Sequence, residues 1–256
     1  MIYPPNFGII IRMLQKTITS KENARLKHVR KLLADKDYRY QTQEYVIEGP
    51  HALGRIAQVN ELFVRAGAAL PQVKADSLYC VETRAFGAIT STENSQGIVA
   101  TAPLKVFGAQ RISPGGRYVL LDRIQDPGNM GAIMRSACAF GYDAIIITPG
   151  CVDPFSPKVV RAAAGALTAI DVIQLKNQAE LADYDIITAS MDGKDISDFA
   201  WPDHFIIAIG SEAAGLSPEI RAMAKSTVSI PISNAMESLN AAVAAGILLY
   251  LAARNL

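Results

Sequence analysis

What most constrains the fold of this chain is the alternation in its carboxy-terminal half. The stretches "RYVLLD", "DAIIIT", "DIITAS", "FIIAIG" and "VSIPI" are apolar runs of strand length, each separated from the next by a helical segment. Strands that are apolar along their whole length need cover on both faces, and intervening helices supply it. The expectation is an α/β domain with a mostly parallel sheet. In such sheets ligands bind beyond the carboxyl ends of the strands, where the connecting loops gather. Three of those loops stand out.

The first lies in "LLDRIQDPGNMGAIMRSACAFG", residues 120–141. Tyr118 to Asp122 read as a strand, Asp126, Pro127 and Gly128 as a turn, and Asn129 as the cap of a helix that turns Ile133, Ala137 and Phe140 inward. Arg135 falls off that inward stripe. By itself it is either an exposed helix arginine, the commonest fate of such a residue, or part of a site. Gly128 and Gly131 do not make a GxGxxG, and no GxxxxGK[ST] occurs, so neither a dinucleotide fold nor a phosphate-cradling loop is indicated.

The second loop, "FIIAIGSEAAGLSPEI" (205–220), leaves its strand through Gly210, Ser211 and Glu212 and enters a helix capped by Ser217 with Pro218 at its first position. Glu212 either serves loop amides or faces a ligand. The third, "VSIPISNAMESLNAAVAAGILLYLAARNL" (228–256), runs from a very short strand through an irregular stretch to Ser238-Leu239-Asn240. Ser238 or Glu237 is the expected cap of the helix that follows. Ala241, Ala242, Ala244, Ala245 and Gly246 on that helix allow another backbone to approach closely.

Upstream, "EYVIEG", "ELFVRAG", "SLYCV" and "GIVATA" read as short strands of a smaller α/β unit ending near residue 102. With 256 residues, half of them apolar, the chain can bury two modest cores. The stretch 103–116, "PLKVFGAQRISPGG", loses periodicity and ends in Pro-Gly-Gly, as a connection does. The expected organisation is an extension over 1–15, a small domain over 16–102, a linker over 103–115 and the parallel-sheet domain over 116–256.

Charge is uneven. The whole chain carries only +1, yet from Lys16 to Arg39 eight Lys or Arg face three acidic residues, a local +5. Thr19 and Glu22 have capping-box spacing there, followed by Leu26, Val29 and Leu33 on one helical face. The basic face is either solvated or in contact with phosphate, and the sequence leaves both open. The three cysteines form no CxxC pair, so neither a zinc site nor a disulfide framework is expected, and a reduced, cytoplasmic setting fits. The start, "MIYPPNFGIIIRML", lacks the cationic head and cleavage pattern of a signal peptide. The apolar run 241–253 is shorter than the roughly 20 residues a bilayer requires, so no membrane association is expected.

Taken together, "DPGNMGAIMRSACAFG", "IGSEAAGLS" and "IPISNAMESLNAAVAAGILLYLA" resemble, in order, the three signature motifs of the SpoU (TrmH-like) branch of the SPOUT RNA 2′-O-ribose methyltransferases. "EYVIEGPHAL" and "STENSQGIVATA" are similar to the small substrate-binding domain of ribosomal-RNA members. The resemblance implies a carboxy-terminal trefoil knot in the parallel-sheet domain and a homodimer formed through it. It further implies S-adenosylmethionine as cofactor, with Gly210, Ile230 and Leu239 at cofactor-binding positions, no metal, and RNA as partner. Ribosomal RNA is the preferred substrate, with transfer RNA as the alternative. By the same likeness Arg135, Asn129, Glu212, Ser238 and Asn240 form the catalytic set. The chain departs from the family pattern at Ala213, Asn234, Ala242 and Ala163, none of which holds a chemical role.

Methylating a ribose hydroxyl requires alignment of a weak oxygen nucleophile, a path for its proton and a grip on the phosphate backbone. A guanidinium does not give up its proton near neutral pH, so Arg135 is expected to act as a bidentate phosphate clamp and charge stabiliser, not as a base. Two readings compete with an enzyme: a catalytically silent RNA-binding or ribosome-assembly protein of the same fold, and, more distantly, a dinucleotide-dependent oxidoreductase. The complete catalytic set disfavours the first, and the missing fingerprint disfavours the second.

Overall fold

The structure, a computed structural model, describes residues 16–53, 56–92, 95–233 and 235–254. The extension over 1–15 and Asn234 lie outside them. The chain divides into two compact units, one running to Leu104 and taking in Phe155–Arg161, the other comprising Lys105–Pro154 and Ala162–Leu256.

The first unit opens with β1 (Lys16–Ile18), α1 (Ala24–Ala34), α2 (Lys36–Thr42), β2 (Glu44–Glu48) and α3 (Pro50–Leu53). It continues through β3 (Gln58–Arg65), β4 (Lys74–Val81), α4 (Thr83–Phe86) and β5 (Ile98–Pro103). Its sheet has the order β1-β4-β3-β5-β2, parallel from β1 to β3 and antiparallel at β5 and β2. Leu26, Val29 and Leu32 of α1 close over Val46, Phe63, Tyr79 and Val99. Burying each such side chain stabilises by about 1.5–3 kcal/mol, which makes the apolar stripe the reason α1 forms here.

Two expectations for α1 are corrected. Its cap is Asn23, whose side chain accepts from the Arg25 amide at 2.9 Å, and not the Thr19–Glu22 box, which lies a full turn too early. Its third buried residue is Leu32. Leu33 packs only at the margin of the cluster.

In the second unit, β6 (Arg117–Asp122), α5 (Pro127–Ala139), β7 (Ala144–Ile147) and β8 (Asp171–Gln174) come first; between β7 and β8 the chain forms α6 (Pro157–Ala163), which belongs to the first unit as far as Arg161. They are followed by β9 (Ile186–Asp195), β10 (Phe205–Gly210), α7 (Pro218–Met223), β11 (Ala224–Ser229) and α8 (Ala241–Arg254). The six strands run β11-β9-β10-β6-β7-β8, all parallel. One face carries Tyr118, Leu120, Ile146, Ile173 and Ile206 into a core with Ile220 of α7. Val119, Leu121, Ile145 and Ile147 are buried on the alternate positions, as double cover demands.

Within the connecting stretch, Phe107 bridges Ile173, its amide donating to the Val172 carbonyl at 2.9 Å, so that this segment extends the β8 edge. β11 begins earlier than the sequence suggests and ends before Ile230-Pro231. Its pairing with β9 shifts register twice. α5 and α8 are tied by the Phe140 and Tyr250 rings, 5.6 Å apart, and by the Tyr142 hydroxyl, which donates to the Leu249 carbonyl at 3.2 Å. Burial pushes that hydroxyl's pKa up, keeping it a donor. Among the described residues no helix is long and apolar enough to cross a membrane.

Candidate active site

The carboxyl ends of β6, β7 and β10 are joined by a buried carboxylate. Asp122, the last residue of β6, is fully buried; its Oδ1 accepts from the Thr148 hydroxyl at 2.9 Å and its Oδ2 from the Ser217 amide at 2.6 Å. A buried carboxylate without such donors would be strongly destabilising, so these bonds fix the strand ends on which the first two loops stand. Thr148 also accepts from the amide of Arg123, which sits in the left-handed region at φ +57°. The sequence marks Asp122 only as a polar residue closing an apolar run. Ser217, recognisable as a cap, does cap α7, with Pro218 at the first helical position.

The α5 turn differs from expectation. The cap is Asp126, whose Oδ1 accepts from the Asn129 amide at 2.7 Å, and Pro127 is the first helical residue. Proline is pre-shaped for that position, so the helix starts earlier and Asn129 falls inside its first turn. The Asn129 side chain is thereby released from capping. Its Nδ2 donates to Glu212 Oε1, and its Oδ1 accepts from Asn240 Nδ2 at 3.1 Å.

Asn240, and neither Ser238 nor Glu237, caps α8, accepting from the Ala242 and Val243 amides at 2.9 and 3.2 Å. It lies one position before the helix, where a short side chain reaches those orphan amides. A single hydrogen-bonded chain, Glu212–Asn129–Asn240, therefore joins three loops that are 83 and 111 residues apart in sequence.

The loop that carries Glu212 is tightly closed. Ser211 and Gly215 pair through reciprocal backbone hydrogen bonds of 3.1 and 2.8 Å, with Gly215 at φ +62°. A Cβ on Gly210 would collide with the backbone of Gly215 and Leu216, which explains glycine at the strand exit. Gly131 has a comparable reason: a Cβ there would run into Ala162 and Ala163, so the motif glycine lets α5 approach that backbone.

Ile230 and Leu239, both half-buried, bound a stretch whose described residues belong to no helix or strand. Apolar walls with backbone polar groups between them suit an adenine, and the closed Gly210 turn presents a main chain without a side chain. The residues present thus fit a nucleoside cofactor. Arg135 is exposed on α5, and Ser238 is exposed before α8. Neither side chain makes a hydrogen bond or ion pair with a described residue, so the structure brings Asn129, Glu212 and Asn240 together but leaves these two outside that chain.

Comparison with known proteins yields two family models. The SpoU rRNA Methylase family matches residues 116–250, and the MRM3-like substrate binding domain matches 23–100. The chain is 30% identical over 250 residues to the 23S rRNA (guanosine(2553)-2′-O)-methyltransferase RlmP of Bacillus subtilis, covering 92% of this chain and 98% of that protein. The AdoMet-bound rRNA methyltransferase from Sinorhizobium meliloti superposes with a TM-score of 0.81 at 29% identity, covering 94% and 98% of the two chains. The SpoU methyltransferase AviRb from Streptomyces viridochromogenes, in complex with AdoMet, gives 0.80 at 26% identity over 91% and 98%. The sheet, the three loops and the family match over more than half of its length agree: this chain belongs to the SpoU rRNA methylase family.

Proposed function

We propose that this protein transfers a methyl group from S-adenosylmethionine to a ribose 2′-hydroxyl of ribosomal RNA, as a homodimer in the cytoplasm. The observation that carries this reading is the Glu212–Asn129–Asn240 chain, three polar side chains from distant loops held in one geometry at the carboxyl edge of a parallel sheet. Family membership and relatives named as 2′-O-methyltransferases of ribosomal RNA support the substrate class.

When bound, S-adenosylmethionine supplies an electrophilic methyl group on a sulfonium. Gly210, Ile230 and Leu239 are the residues proposed to hold it, through main-chain contacts and apolar walls. Asn129 has one side-chain amide hydrogen left over after its bond to Glu212, and with the Ser238 hydroxyl it can orient the ribose. Glu212 and Asn240 hold that amide in one orientation. Arg135 offers its planar fork to the phosphate next to the target and stabilises negative charge developing on the 2′ oxygen. The hydroxyl proton leaves to phosphate or water, because the guanidinium stays charged.

The first unit, over 16–102, is proposed to hold the RNA, and the carboxy-terminal loops to be threaded as the family's trefoil knot. Support for the homodimer comes from α8, which leaves Val243 52% and Tyr250 43% exposed, with Ile247 half-buried on the same side at helical spacing. Three free, half-buried cysteines agree with a reducing compartment.

The test is methyl transfer from tritiated S-adenosylmethionine to ribosomal RNA purified from cells that lack the protein, followed by digestion to nucleosides. Label in a 2′-O-methylnucleoside is the expected result. Label on a base, label only in transfer RNA, or cofactor binding without transfer would overturn the reading.

A further inference from the structure

The basic stretch of the first unit is largely engaged with its own fold. Arg25 pairs with Glu61 at 3.0 Å, Lys27 with Glu22 at 3.1 Å, and Lys31 and Lys36 lie over the Tyr38 and Tyr40 rings. Arg39 is buried and donates to the Leu32 carbonyl at 2.6 Å. Arg65, outside that stretch, is different. It ends β3, is half-buried, and its side chain makes no hydrogen bond or ion pair with a described residue.

Its side chain is laid across Gly97, where a Cβ would come within 3.3 Å of both Cβ and Nε of Arg65. Gly97 is at φ +79°, so only glycine both takes this turn and leaves room for the arginine. No described carboxylate pairs with the Arg65 guanidinium, so its charge is available to an anion.

Arg65 lines a cavity of about 300 Å³ at the carboxyl ends of β3 and β4, together with the hydroxyls of Thr83, Thr90, Thr92 and Ser95, over a floor that includes Phe86. Thr83 Oγ1 has no partner among the described residues. Thr92 is held by Glu48, whose carboxylate accepts from the Ser91 amide at 2.9 Å and from the Thr92 hydroxyl at 2.5 Å. Those bonds use the Thr92 proton and leave its oxygen as an acceptor. The cavity thus offers a cation, a free hydroxyl and acceptor oxygens among its lining groups.

Resting on the RNA-methyltransferase reading, we infer that this cavity is a second RNA contact, seating one phosphate and its ribose from an unpaired stretch of the substrate. Arg65 and Thr83 donate to the phosphate oxygens, and Thr92 and Ser95 accept from the 2′-hydroxyl, the group by which a protein tells RNA from DNA. A pocket near 300 Å³ is at the small end of the range for ligand sites, consistent with one nucleotide.

The experiment uses the full chain and ribosomal RNA from cells that lack the protein, in filter binding from about 50 to 200 mM salt. Arg65→Gln is expected to weaken binding about tenfold and to lower the salt slope by about one, while affinity for S-adenosylmethionine in calorimetry is unchanged. Thr83→Val should weaken binding about twofold without changing the slope. An Arg65→Gln protein with wild-type affinity and slope overturns the inference. Should that variant lose its thermal transition, Thr83→Val decides: a loss of affinity supports the site, and wild-type affinity overturns it. A wild-type chain that neither binds nor methylates this RNA overturns the functional reading as well, whereas a methylating chain indifferent to Arg65 overturns only the second contact.

Discussion

Helices α1 and α5 both present basic residues to solvent, and they use them in opposite ways. In and just after α1, Arg25, Lys27, Lys31, Lys36 and Arg39 each have a carboxylate, a ring or a carbonyl of the same unit as partner. On α5 the one arginine, Arg135, has none among the described residues, although it stands in a helix whose first turn is locked to two other loops. A count of charges thus locates a face, while an account of partners locates a candidate contact. Surface pairs are individually worth little, so the α1 cations are not removed from play, but their geometry is already explained.

The comparison breaks first at Arg135. Arg135→Ala is expected to lower methyl transfer by at least about 10²–10³-fold while calorimetric affinity for S-adenosylmethionine stays the same. Arg135→Lys keeps the charge and loses the fork; near wild-type turnover would argue against bidentate contact.

If the catalytic loops are as rigid as their contacts imply, a single methyl group should disturb them. Gly210→Ala forces the Gly215–Leu216 backbone to move and is expected to destabilise by about 1–3 kcal/mol, with weaker cofactor binding, read by thermal unfolding with and without S-adenosylmethionine. An unchanged transition would mean that the Gly210 turn yields.

On the other side of the comparison, Lys27→Gln combined with Lys31→Gln should change RNA affinity by less than about threefold and stability by no more than about 0.5 kcal/mol. A large loss of RNA affinity would restore α1 as the principal grip.

The smallest effect is one of pH in the first unit. Burial opposes ionisation of Glu48, but hydrogen bonds from Thr92 and Ser91 outweigh it and hold the carboxyl below its ordinary value of 4.5. A carboxylate with a depressed folded-state pKa contributes stability above that ordinary value and loses it as pH falls through the lower one. Thermal unfolding between about pH 5 and pH 3 should therefore show a decline that Glu48→Gln flattens. The same slope in both proteins would assign the decline to other groups.

Much of the architecture could be read before any coordinates. The apolar runs at β6, β7, β9 and β10 announce themselves because a parallel strand covered on both faces has no polar side to disguise it. β1 and β8 escape notice for the converse reason. "KTI" and "DVIQ" lie at sheet edges, where half a strand's surroundings are solvent and the composition is mixed. Helix starts are misplaced at α1, α5 and α8 because several capping residues stand close together in each turn, and only the local backbone chooses among Thr19 and Asn23, Asp126 and Asn129, or Ser238 and Asn240.

The fold class, the three loops and the residue types gathered in them are thus legible along the chain, since periodicity and turn chemistry act over a few neighbouring positions. Which of those residues touch follows from the packed molecule alone. Asn129 meets Glu212 and Asn240, and Asp122 meets Thr148 and Ser217, because strand order brings distant loops to one edge. That order is set by packing of the whole sheet, which no local window of the chain contains.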